Sequence, residues 1–157
     1  MIKQVNELKL RDLFKDTDEL RILKRNGFRG VILPIVYTIS GTTLAQTSIN
    51  YTAPFFYADR NYEVLEFRER HEVAGTDGSA VTIMLNKVPD GTAPASGTNI
   101  LTATLSLKAT ANTWQSGTIT TTLPDFTLSS GNALSLVTSG TLTSLQGVTV
   151  AVILKAI

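Results

Sequence analysis

"YEVLEFRERHEVAGTDGSAVTIMLNKV" (residues 62–88) decides between an all-β chain and any other. Its first twelve residues are rich in the β-branched and aromatic types that fit a pleated surface. A strand turns successive side chains to opposite faces. On that reading Leu65, Phe67, Glu69, His71 and Val73 share one face, and Val64, Glu66, Arg68, Arg70 and Glu72 share the other. The second face is a charge ladder, suited to solvent or to cross-strand ion pairs. The first starts apolar and ends in Glu69 and His71, as a strand does when it leaves the core for a sheet end or a subunit contact. "AGTDGS" (74–79) is a turn cluster. "AVTIMLNKV" (80–88) then sets Val81, Ile83 and Leu85 against Thr82 and Met84. Strand, turn, strand is the pattern to extend in both directions.

Downstream, "PDGTAPASGT" (89–98) is a Pro/Gly loop, and "NILTATLSLK" (99–108) places Leu101, Ala103, Leu105 and Leu107 on one face. "GTITTTL" (117–123), "NALSLVTSG" (132–140) and "GVTVAVILKAI" (147–157) follow as further strands. Upstream, "IVYTIS" (35–40) is a strand, while "TSINYTAPFFYA" (47–58) is interrupted by Pro54, which marks an edge strand or two pieces. About eight strands between turns predict an all-β chain, an antiparallel β-sandwich or jelly roll. Ser-Gly-Thr recurs at 96–98, 116–118 and 139–141, but unequal intervals and different flanks make this turn chemistry and not a solenoid repeat.

The chain of 157 residues suits one domain with a core and an appended arm. Residues 1–33 are taken as an N-terminal arm and 34–157 as the sandwich. Residues 1–30 hold eight basic against five acidic side chains, an excess of three positive charges. Residues 31–157 hold six basic against eight acidic, an excess of two negative charges. Val5, Leu8, Leu13 and Phe14 sit at helical spacing, which predicts a short helix over 4–14. Residues 18–33 are open between a second helix ending at Asn26–Gly27 and a hairpin turning there.

Fourteen basic residues nearly balance thirteen acidic ones, so charge gives no reason to expect nucleic acid or anionic membrane as partner. The absence of cysteine excludes disulfide scaffolds, zinc–thiolate sites and cysteine nucleophiles, and fits assembly in a cytosol. The start "MIKQVNELKLRDLFKD" is too charged for a secretory signal. "VILPIVYTI" (31–39) falls far short of the roughly 20 residues that span a bilayer. A soluble chain is expected.

No catalytic, cofactor or metal set emerges. His71 is the one histidine, and Ser79 beside it lies in a turn without a nucleophile elbow. Glu63, Glu66, Glu69 and Glu72 are interleaved with arginines, which is a surface ladder before it is a glycosidase pair. "DTDEL" (16–20) and "GTDGS" (75–79) lack EF-hand spacing, and no phosphate loop or dinucleotide fingerprint occurs. Trp114, alone in "KATANTWQSGT", has the chemistry to stack on a sugar; core or interface packing is the plainer reading. Phe55, Phe56 and Tyr57 in "APFFYADRNY" suit a core or a subunit interface, and Glu69 and His71 a strand-end ion pair or subunit contact.

"PFFYADRNYEV" (54–64), "HEVAGTDGSAVTIMLNKVPDGTAPASGTNIL" (71–101), "SLKATANTWQSGTIT" (106–120) and "GTLTSLQGVTVAVILK" (140–155) together resemble a small β-sandwich domain found among virion proteins of tailed bacteriophages. The resemblance spans about residues 53–157 and rests on turn phrases such as "GTDGSAVT" and "DGTAPASGT", not on a chemical motif. The charged pair usual in the late "GNALSLVTSG" strand is missing. The resemblance implies a non-enzymatic structural subunit, often trimeric. The first reading is a capsid decoration or cement protein on the virion surface, assembled in the host cytoplasm and partnered by itself and by the major capsid protein or a neighbouring virion protein. A head or tail fibre or receptor-binding module is the second, and a glycan-cleaving enzyme a distant third. In the first reading the arm docks the body through Leu8, Leu13, Phe14, Arg21, Arg25 and Arg29.

Overall fold

A computed structural model describes residues 30–39 and 54–157. The helix expected over 4–14, the open segment up to residue 29, the arm residues Leu8, Leu13, Phe14, Arg21, Arg25 and Arg29, and the strand start at 47–53 lie outside the described residues.

The described chain is all-β and antiparallel. Its strands are β1 (Ile32–Ile39), β2 (Pro54–Tyr57), β3 (Tyr62–Arg70), β4 (Thr82–Val88), β5 (Thr98–Asn99), β6 (Leu105–Ser106), β7 (Gln115–Gly117), β8 (Thr127–Leu128), β9 (Ala133–Ser139) and β10 (Val148–Ala156). One sheet runs β1-β10-β3-β7, with β8 also on β3; the other runs β2-β9-β4-β5, with β6 also on β4. Taking β5 with β6 and β7 with β8 as interrupted strands leaves eight. First then pairs with last, second with second last, and so inward, and successive strands change sheet except at the innermost pair, β4 with β5–β6. That is the jelly-roll order, a long hairpin rolled into two layers.

Between the layers lie Val64, Phe67, Ile83, Leu85, Leu107, Leu136, Val150, Val152 and Leu154, all at most 2% exposed. The regular inward alternation of Val148, Val150, Val152 and Leu154 on β10 is the period-2 pattern of a half-buried strand. Two aromatic pairs join the layers: Tyr37 of β1 stacks on Phe55 of β2 at 5.2 Å, and Phe56 meets Tyr62 of β3 edge-on at 5.5 Å.

Three expectations are corrected here. First, β1 starts at Ile32 and runs through Pro34, so the expected arm–body boundary at 33/34 falls inside a strand. Pro34 is tolerated because β1 is an edge. Second, β3 carries a bulge. Ile153 faces Glu66 but Leu154 faces Val64, so Leu65 is the extra residue. The bulge shifts the alternation: Val64 is 2% exposed and Leu65 43%, the reverse of the face assignment made from spacing alone. Third, 99–108 is not one strand. Asn99 pairs with Asn86 and Leu105 with Ile83, which leaves three residues in excess. They bend away so that Ile100 and Leu101, adjacent in sequence, are both buried, and Leu101 bridges to Ile119.

Candidate functional site: a buried polar cluster beneath an exposed tryptophan

At the end of β3, past the bulge, Phe67, Glu69 and His71 all point inward. Glu69 and His71 are completely buried. A buried carboxyl needs partners for both oxygens. One oxygen lies 2.9 Å from His71 Nδ1, and the other accepts a 2.7 Å bond from Gln115 Nε2. Gln115 also donates to the Ser106 carbonyl at 2.9 Å.

His71 Nε2 lies 3.0 Å from the carbonyl oxygen of Ala109. A carbonyl can only accept, so Nε2 carries a proton and donates it. One further proton is shared between Nδ1 and Glu69, which keeps the pair neutral overall. Burial pushes the Glu69 carboxyl up from its ordinary range, and the bonds to His71 and Gln115 oppose that shift. With both ring nitrogens engaged and no exposed atom, His71 is placed to hold structure and not to exchange protons with a ligand.

What the cluster holds is the loop between β6 and β7. Asn112 sits in that loop at φ +60°, a left-handed conformation that Asn adopts more readily than most residues. Its amide N–H donates to the His71 carbonyl at 2.7 Å, its Nδ2 to the Glu72 carbonyl at 3.3 Å, and its Oδ1 accepts from Arg70 at 2.9 Å. The loop is thus fastened at Ala109, Asn112 and Gln115.

Trp114 follows from this. Gln115 opposes Glu69 on β3 and points inward, so its neighbours Trp114 and Ser116 point outward. Trp114 is 44% exposed, which corrects the core-packing reading for this residue. It lines a shallow cleft of about 280 Å³ with Glu66, Arg68, Ala151 and Ile153. Arg68 Nε donates to Glu66 Oε1 across its rim.

Of the five residues expected at a subunit interface, Glu69 and His71 have no surface with which to touch a subunit, and for them that expectation is corrected: the ion pair is internal. Phe55 and Phe56 are half-buried and pack on the core. Tyr57 is 66% exposed. Sequence reading missed Asn112 and Gln115. A signal existed for Gln115, since any residue opposite Glu69 on a paired strand shares its inward face, but the pairing itself is not written in the sequence.

A second surface adjoins this cleft on the β1 side. The outward residues of β1 include Ile32 at 51% and Val36 at 67% exposure, beside Val31 at 45%. Opposite Pro34 and Val36 stand Ile153 and Ala151 of β10. The outer face of this sheet is therefore apolar along the middle of β1 and β10, between Lys155 at one end and the Thr38–Thr149 pair at the other.

No family model and no curated protein matches the chain. Solved structures with a similar fold include a chain of the cyanophage Pam1 capsid asymmetric unit, at 17% identity and TM-score 0.48, covering 83% of this chain and 89% of that one. A chain of the disulfide-linked pili of Bacillus endospore appendages is similar at 17% identity and TM-score 0.39, covering 82% and 91%. A chain of infectious bursal disease virus Gx strain is similar at 18% identity and TM-score 0.34, covering 78% of this chain and 32% of that one.

Proposed function

We propose that this chain is a non-enzymatic structural subunit of a virion, a decoration or cement protein that binds the head shell as a homotrimer and stabilises it. The observation that carries the reading is the open apolar face of β1 and β10. Val31, Ile32, Pro34, Val36, Ala151 and Ile153 form a contiguous strip, the kind of surface that marks an interaction site on a soluble domain. The jelly roll is a fold of capsid and lectin domains, although a fold alone does not set function. The turn phrases that resemble tailed-phage virion domains point the same way. The local excess of three positive charges in residues 1–30 suits attraction of the arm to an acidic surface, weakening as salt rises.

The experiment is to add the purified protein to purified shells that lack it. Co-sedimentation and a raised melting temperature of the shell are expected. Val36→Asp, which charges the strip at an exposed position, should abolish both while leaving the fold intact. Binding that survives both Val36→Asp and deletion of residues 1–29 would overturn the reading.

A further inference from the structure

Glu66, Arg68, Trp114, Ala151 and Ile153 meet on the outer face of the first sheet, across β7, β3 and β10; Ala151 and Ile153 are shared with the apolar strip beside β1. We propose that this cleft binds one neutral pyranose ring of a glycan. The inference goes beyond shell docking and stands without it.

A pyranose presents an apolar C–H face and an equatorial rim of hydroxyls, each both donor and acceptor. The cleft offers the complement of both. Trp114 is a rigid aromatic plate, 44% exposed, and Ala151 and Ile153 form an apolar floor. Arg68 spends its Nε on Glu66 Oε1; its remaining N–H groups and the second Glu66 oxygen have no partner among the described residues. Donors and an acceptor thus stand side by side, as vicinal hydroxyls require. Arg68 and Glu66 cancel in charge, which favours a neutral sugar over a uronic or sialic acid. At about 280 Å³ the cleft is near the lower limit of small-molecule sites, which suits one ring.

The plate is also fixed in advance. Gln115, next to Trp114, is bonded to Glu69 and to the Ser106 carbonyl, and Asn112 to the backbone of His71 and Glu72. A loop ordered before binding loses little entropy on binding, and that is what a weak single-ring site needs. The buried polar cluster acquires a purpose on this reading: it positions Trp114.

Trp114 is the one tryptophan of the chain, so it reports on its own site. The probes are methyl β-D-galactopyranoside and methyl α-D-glucopyranoside, with galacturonic acid as the charged control. A saturable change in tryptophan emission is expected for at least one neutral sugar, with a dissociation constant on the order of 1 mM. Saturation-transfer NMR on the sugar should fall about tenfold in Trp114→Ala and in Arg68→Ala, both surface changes. A silent titration with both neutral sugars overturns the proposal. So does binding that Trp114→Ala leaves intact, or a preference for galacturonic acid. Shielding of Trp114 by purified shells, with no response to sugar, assigns the cleft to a protein contact and overturns it equally.

Discussion

Glu69 carries two acceptor oxygens into a space closed to solvent, and each finds a donor, His71 on one side and Gln115 on the other. Removing the carboxyl strands His71 Nδ1 and a Gln115 N–H together. Glu69→Ala should therefore cost roughly 3–5 kcal/mol, as breaking a buried pair does. Glu69→Gln is different, because an amide can donate to Nδ1 and accept from Gln115 in the same geometry; about 1 kcal/mol is expected. Urea unfolding of the two variants measures the contrast. Equal losses would mean that the charge, and not the hydrogen-bond pattern, holds the cluster. Gly140 is a second single-residue constraint. Its φ is +88°, and a Cβ there would lie 2.1 Å from the Ala80 carbonyl oxygen, a backbone atom with little room to give. Gly140→Ala should destabilise by about 2 kcal/mol or more, read as a fall in the urea midpoint.

At the scale of elements, β1 is an edge among the described strands, and its composition would invite another strand. Val31 O accepts from Ala156 N at 2.9 Å. In an antiparallel ladder alternate residues turn their backbone groups to the partner, so Leu33, Ile35 and Tyr37 face β10 while Ile32, Pro34 and Val36 face outward. Pro34 thus removes an N–H from the middle of that edge, a known guard against edge-to-edge pairing. Pro34→Val should promote concentration-dependent association, seen by light scattering; an unchanged profile would mean that the edge is blocked by other means. The bulge at Leu65 does comparable work on β3. Without the extra residue, Tyr62 and Val64 could not face the core together with Phe67 and Glu69, since a one-residue slip sends every side chain to the opposite face.

For the whole molecule, two carboxyls pull the pH dependence of stability in opposite directions. Asp59 is lowered to about 2, chiefly by its hydrogen bond from Arg60 and next by that from Tyr62. A depressed carboxyl contributes stability that is present above its unfolded pKa and lost as pH falls toward its folded one. Glu69 is raised, first by burial. Its contribution is complete below the unfolded pKa and is lost as pH rises through the raised value. Asp59→Asn should therefore flatten the acid limb of a melting-temperature profile, and Glu69→Gln the limb above the ordinary carboxylate range. A Glu69→Gln profile parallel to the wild type throughout would contradict the assignment.

The all-β, two-layered fold followed from local chemistry. Alternation in residues 80–88 and 147–157, turn clusters such as "AGTDGS" and the Thr/Val content needed no distant partner to be recognised. The edge character of the Pro54 strand was readable for the same reason, since a missing N–H is a property of one residue. Everything that depends on pairing was decided by the tertiary structure. The phase change at Leu65 exists because β10 opposes β3 in a particular register, and the break in 99–108 because β4 accepts that segment in two registers three residues apart. His71 and Glu69 stood out in the sequence as a charged strand end. Their burial required the loop of Ala109, Asn112 and Gln115 to close over them from about 40 residues away, and no spacing within 62–88 contains that contact. Trp114 was visible as a lone aromatic, but its place beside Arg68 and Glu66 exists only once β7 lies against β3.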